Sequence, residues 1–221
     1  MSTGIQVKVW GDYALFSRPE FSTERASYEV MTPSAARGIV EAIHWKPAIR
    51  WVVDRIRVLN PIRFDTIRRN EVASKASYAN ARGAARGDQP TPYLVADDDR
   101  QQRAALVLRD VAYVIDAHFE MTGRAGPADN PGKHADMARR RIEKGQCVYQ
   151  PSLGAREFTC FFAPPEAGDL TRVHRSLEGC RPLGRMLHDI DFSDGMAPRF
   201  FDAILEDGVL AVPPFAPARA P

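Results

Sequence analysis

Val111, Tyr113, Ile115, Ala117 and Phe119 fall on every second residue of RAALVLRDVAYVIDAHFEMT, residues 103–122, with Asp116, His118 and Glu120 between them. A period of two is that of a β-strand, and the contrast between its faces requires a sheet buried on one side. The stretch reads as one long or two short strands. GIQVKVWGDYALF (4–16) alternates in the same way and is interrupted or bulged at Gly11. RWVVDRIRVL (50–59), IRFDTIRRNEV (62–72) and REFTCFFA (156–163) complete the strand signals of the first two-thirds.

Two helices interrupt these strands. In TPSAARGIVEAIHWKP (32–47) Thr32 caps, Pro33 suits the first helical position, Ile39, Val40 and Ile43 give the apolar side, and Pro47 prevents continuation. The second, in DNPGKHADMARRRIEKG (129–145), starts from Asn130 as N-cap and Pro131 as first residue. ASYANARGAARGDQPT (76–91), rich in Ala, Gly and Arg, reads as a mobile loop. With the hairpin around that loop set aside, the order is βαββαβ. This is an α+β, ferredoxin-like arrangement, shared by RNA-recognition domains and by domains with other tasks. The chain divides at Pro164-Pro165 into a domain of residues 1–165 and a small C-terminal antiparallel β lobe of residues 166–221.

Composition sets outer limits. No run approaches 18 apolar residues and MSTGIQVKVW lacks a signal-peptide pattern, so the reading is a cytoplasmic protein with no membrane partner. Cys147, Cys160 and Cys180 show no CxxC pairing, which argues for buried thiols rather than a disulfide framework or a zinc site. The formal charge of +2 announces no polyanion, but the cations are unevenly placed. Residues 34–69 carry eight basic side chains against three acidic ones, and residues 170–221 carry six against seven.

The helix from Pro131 holds the densest basic cluster. At about 100° per residue, Lys133, Arg140 and Lys144 lie within about 20° of one line, opposite Ala135, Ala138 and Ile142. HxH, HExxH, GxSxG, GxGxxG and Walker patterns are absent, so metal catalysis, serine hydrolysis, dinucleotide redox chemistry and nucleotide hydrolysis are set aside, and no cofactor is expected. Lys133-His134 remains, at a helix start where the dipole favours an anion and a neutral imidazole. That pair suits metal-free phosphodiester cleavage in RNA. A base removes the 2′-hydroxyl proton, the oxygen attacks the adjacent phosphate, and a lysine steadies the phosphorane.

GDYALFSRPEFSTERASYEV, MTPSAARGIVEAIHWKPAIRWVVDRIRVLNPIR, GKHADMARRRIEKGQCVYQPSLGAREF and FFDAILEDGVLAVP, in order from about residue 4 to residue 214, resemble the subtype I-C (Dvulg) member of the fifth family of CRISPR-associated proteins. The resemblance implies a ferredoxin-like, repeat-associated RNA-binding fold and a metal-independent endoribonuclease. Its partners would be CRISPR repeat RNA, the 5′ handle of the mature crRNA, and the backbone and large subunits of the interference complex, with weak double-stranded DNA binding a further implied property. The family's active residues are a tyrosine before WKP and the Lys-His of GKH, which carry over to Lys133 and His134. At the third position this chain has His44, and a histidine at a helix C-terminus is favoured as a cation. One imidazole, His134 or His44, is expected to deprotonate the 2′-hydroxyl while Lys133 stabilises the phosphorane. Tyr28 and Trp45 are candidates to stack on a splayed nucleotide, and Lys46, Arg68, Arg69, Arg139, Arg140, Arg141 and Lys144 to bind the backbone. The rival reading is a non-catalytic subunit that caps the crRNA 5′ handle.

Overall fold

In the computed structural model, which describes residues 4–21, 24–75, 77–88 and 95–215, the alternating stretch is a single strand of 22 residues. The elements in chain order are β1 (Gly4–Ala14), β2 (Arg25–Ala26), α1 (Pro33–Ile43), β3 (Ile49–Val58), β4 (Phe64–Val72), α2 (Tyr78–Ala85), β5 (Arg100–Met121), α3 (Pro131–Glu143), β6 (Phe161–Ala163), α4 (Ala167–Thr171), β7 (Cys180–Asp191), β8 (Ala197–Glu206) and β9 (Val209–Ala211). The architecture is α+β. One sheet runs β6-β1-β5-β3-β9-β8-β7, and β2 and β4 pair with the first half of β5. All pairings are antiparallel except that of β2 with β5.

The buried side of β5 carries Val111, Tyr113, Ile115, Ala117 and Phe119. In register with it, β1 contributes Ile5, Val7 and Val9, and β3 contributes Trp51, Val53, Ile56 and Val58. Helices α1 and α3 cover this face. Ala36, Ile39, Val40 and Ile43 of α1 and Ala135, Ala138 and Ile142 of α3 are buried, α1 packing against β3 and α3 against β1. Each large apolar side chain so buried contributes about 1.5–3 kcal/mol. The predicted caps form: the Thr32 hydroxyl accepts from the Ala35 N–H at 3.3 Å, and the Asn130 side chain accepts from the Lys133 N–H at 2.8 Å. Arg37 ties α1 to β7 by donating to both carboxylate oxygens of Asp189, at 2.6 and 2.9 Å.

Four local expectations change. Residues 78–85 form helix α2 in place of a loop, because the Ser77 hydroxyl caps the Asn80 N–H and the run is rich in alanine; no residue of α2 is buried. The segment 156–163 is mostly turn, with only Phe161–Ala163 pairing to β1 and an isolated bridge joining Ser152 and Thr159. Gly11 neither interrupts nor bulges β1, which runs through it in register with β5; it marks a close approach, since a Cβ there would lie 2.6 Å from Leu153 Cδ1 and 2.7 Å from the Thr159 carbonyl oxygen. Of the three cysteines only Cys160 is fully buried, while Cys180 is exposed.

At the C-terminus, β7 and β8 form a long hairpin, and β9 folds back through Asp207-Gly208 to lie against β3. The proline- and alanine-rich tail lies outside the described residues from 216 onward. Among the described residues no helix is long and apolar enough to cross a membrane.

Candidate active site

The packing of α1 on α3 brings the end of one helix to the start of the other. His44 follows the last residue of α1 in extended backbone, its N–H donating to the Val40 carbonyl at 2.9 Å. Trp51 on β3 fixes it from below, the indole N–H donating to the His44 carbonyl at 2.7 Å. The imidazole is fully buried, and its Nε2 stands 3.2 Å from Nδ1 of His134 in the first turn of α3. His134 is also buried, at 1% exposure, with its ring edge-on to Phe119.

These surroundings reverse the expected charge of His44. Burial, then the nearby Arg141, His134 and Lys46 side chains, pull its pKa down to about 4. Desolvation outweighs the helix dipole, and His44 is neutral at pH 7.

A carboxylate closes the other side of the pair. Asp129 Oδ1 lies 3.2 Å from His134 Nε2, and the Gly126 N–H reaches Asp129 Oδ2 at 3.0 Å. The Gly126 hydrogen bond, aided by His134 and Lys133 against an opposing effect of burial, keeps the Asp129 carboxyl below its ordinary range. Motif and helical-wheel reasoning misses Asp129. Its signal in the sequence is position: an acid one residue before the N-cap of a helix whose fourth residue is histidine.

Lys133 is exposed at the same helix start, its ammonium donating to the Ala128 carbonyl at 3.1 Å. Trp45 and Lys46 are exposed next to His44. Lys133, His134 and His44 are therefore neighbours, with the lysine outside and both imidazoles beneath the surface. Among the described residues no group of three His, Cys, Asp or Glu is placed to hold a metal ion.

The basic and aromatic candidates separate. Arg140 and Lys144 are exposed on α3 and Arg68 on β4. Arg139, also exposed, reaches the Gly4 carbonyl and Asp136. Arg69 is held by Glu71, at 3.2 Å, and by Glu157. Arg141 turns inward, donating to the Ile43 carbonyl at 2.8 Å and standing 3.4 Å from His44 Nδ1. Tyr28 is fully buried, with its hydroxyl accepting the Leu187 N–H at 3.3 Å and the Arg18 guanidinium over its ring, so it cannot stack on a base without leaving the core. His118 sits on the other face of the sheet against Asp54, at 2.9 Å.

Comparison with known proteins completes the site's context. The family model described as CRISPR-associated protein (Cas5), of the Cas5d type, matches residues 4–213. The chain belongs to the Cas5d family. Its curated relatives include the CRISPR pre-crRNA endoribonuclease Cas5d of Mannheimia succiniciproducens, 54% identical over 219 residues that cover 97% of each chain. The protein of the same description from Thermus thermophilus is 42% identical over 228 residues, covering 95% of this chain and 91% of that one. A solved structure titled as a CRISPR-associated protein superposes with a TM-score of 0.69 at 25% identity, covering 95% of this chain and 91% of the other. For this Cas5d family member, His44, Lys133 and His134 come from two separate stretches of the matched residues.

Proposed function

We propose that this chain is a metal-independent endoribonuclease that cleaves CRISPR repeat hairpins in precursor crRNA by 2′-hydroxyl attack. It then stays on the 5′ handle within the type I-C interference complex. Lys133, His134 and His44 form the reactive group in this reading, with Lys133 steadying the phosphorane. The carrying observation is their meeting at one helix N-terminus, in a chain 54% identical to a pre-crRNA endoribonuclease over 97% of its length. Such a terminus offers backbone N–H groups and dipole to a phosphate. Arg140, Lys144 and Arg139 extend positive charge along the same helix for the hairpin backbone.

The same reading keeps a ferredoxin-like, RNA-recognition-type core in residues 1–165 and a β lobe in residues 166–221. Its support is the order β6-β1-β5-β3 with α1 and α3 on one face, and the β7–β8 hairpin attached through β9.

The burial of both imidazoles favours a second reading, a subunit that holds the 5′ handle without cutting. One experiment separates the two. Purified protein is incubated with a repeat RNA and with the same RNA carrying a 2′-deoxy sugar at the scissile nucleotide. Cleavage of the first alone supports the enzyme, and binding of both without cleavage supports the holder.

A further inference from the structure

Arg141, His44, His134 and Asp129 form a file of hydrogen-bonding groups, spaced 3.4, 3.2 and 3.2 Å apart. Its two ends are chemically one-sided. A guanidinium only donates, and an ionised carboxylate only accepts. Facing Arg141, His44 Nδ1 must be the lone-pair nitrogen, which puts the proton of the neutral ring on Nε2. That N–H points at His134 Nδ1, which must then accept, leaving the His134 proton on Nε2, where Asp129 receives it. Each hydrogen bond agrees with its neighbours in this one arrangement. In the opposite pair of tautomers His44 would point an N–H at Arg141.

The groups around the file are consistent with it. His44 faces Arg141 and His134 from α3, with Lys46 nearby; His134 faces His44, Asp129 and the ring of Phe119; Lys133 lies outside on the Ala128 carbonyl. Asp129, about a quarter exposed, is the member of the file through which the surface is reached, since the rings are at 0% and 1%.

We propose that Arg141 and Asp129 are positioning residues that lock the two histidines in these tautomers, so that His134 meets the scissile phosphate as a neutral N–H donor once the phosphate displaces Asp129. This rests on the endoribonuclease reading and assigns His134 to the phosphate instead of the 2′-hydroxyl. With no imidazole lone pair turned outward, hydroxide from solvent takes the 2′ proton and becomes water. The 2′ oxygen bonds to phosphorus, the bond to the 5′ oxygen breaks, and that oxygen takes a proton from water, which restores the hydroxide. A neutral imidazole acting as donor to developing charge has precedent in enzyme chemistry.

Nitrogen-15 spectra of the full chain at neutral pH read the tautomers directly, with His44→Gln and His134→Gln used for assignment. Wild type should show both rings neutral with the proton on Nε2. Either end alone dictates both rings through the shared Nε2–H to Nδ1 bond, so Asp129→Ala or Arg141→Leu singly should leave both tautomers in place, the double variant should release them, and Arg141→Lys in place of Arg141→Leu in that double variant should restore them. Above neutral pH, the wild-type cleavage rate should rise about tenfold per pH unit, as the hydroxide concentration does. A proton on His134 Nδ1 in wild type, or a plateau set by an imidazole, overturns the assignment. Other tautomers in a chain that cuts remove this proposal alone. The expected tautomers in a chain that cuts no repeat RNA remove the endoribonuclease reading, and the phosphate role with it.

Discussion

His44 Nε2 lies 3.2 Å from His134 Nδ1 across 90 residues of sequence. One ring belongs to the end of α1 and the other to the start of α3, so the pair exists only when both helices are seated on the β1-β5-β3 face. The site is therefore a product of core packing. Ile43, one residue before His44, and Ala135, one residue after His134, are both buried.

Replacing His134 with alanine should reduce cleavage of repeat RNA by about 100-fold or more, the usual loss when a preorganised donor or proton-transfer group is removed. Affinity for the RNA should stay within about twofold, because the backbone cations of α3 remain. Products of the wild-type reaction should carry a 2′,3′-cyclic phosphate and a 5′-hydroxyl, and EDTA should leave the rate unchanged. Gel-based cleavage and filter binding read both quantities, and a variant that still cuts at the wild-type rate removes His134 from the site.

Much of this is legible in the residues. Period-two alternation locates β5, β1 and β3, and the caps at Thr32 and Asn130 place both helices within a residue or two. The family motifs bring Lys133, His134 and His44 together as a group. What sequence does not supply is direction and depth. A helical wheel puts Arg141 beside the basic stripe, yet its guanidinium folds under toward the Ile43 carbonyl. Tyr28 looks like a stacking aromatic, and contacts from β7, far along the chain, bury it. The charge expected of His44 rests on the helix dipole, which acts locally, while the desolvation that overrides it comes from the packing of other elements. Helix α2 escapes detection because nothing of it is buried and its one strong signal, the Ser77 cap, stands within an Ala, Gly and Arg run.

Gly154 and Gly38 should respond in opposite directions to alanine. Gly154, in the LGAREF motif, has φ of +86° and a Cβ there would overlap the Leu15 carbonyl. Gly154→Ala should lower the melting temperature through backbone strain of about 1–2 kcal/mol plus displacement of the Leu15 backbone. Gly38 lies in α1 with open space around the position a Cβ would take, so Gly38→Ala should stabilise by about 0.5–1 kcal/mol. Equal melting temperatures for the two variants would show that the close approach at residue 154 is absent.

The cations should divide in their salt response. Arg140 and Lys144 are exposed on α3, so alanine at either should weaken RNA binding at every sequence and reduce the log-log salt slope by about 0.7–0.9. Arg69 is already paired with Glu71 and Glu157, and Arg69→Ala should leave the slope unchanged. Binding titrations across a salt series settle the matter; an equal slope change in all three variants means that Arg69 exchanges its carboxylates for phosphate.

Stability should fall in mild acid because of one side chain. In the folded protein His44 takes up a proton only near pH 4, whereas in the unfolded chain it does so near 6.5. Above 6.5 neither state is protonated there and His44 adds no pH dependence. Between the two values the unfolded chain binds more protons, so lowering the pH favours unfolding, by up to about 2 kcal/mol once solvent screening is allowed for. The lowered carboxyls of Asp129, Asp169 and Asp191 add their own loss only at more acid pH, below the ordinary carboxylate range. Urea midpoints for wild type should therefore drop as pH falls from about 6.5 toward 5, where carboxylates contribute little. His44→Gln keeps an amide donor for His134 and an acceptor for Arg141 but cannot titrate, so its midpoints should be flat over that window. Parallel curves for the two proteins would mean that another group carries the acid sensitivity and that His44 is better solvated than its buried position implies.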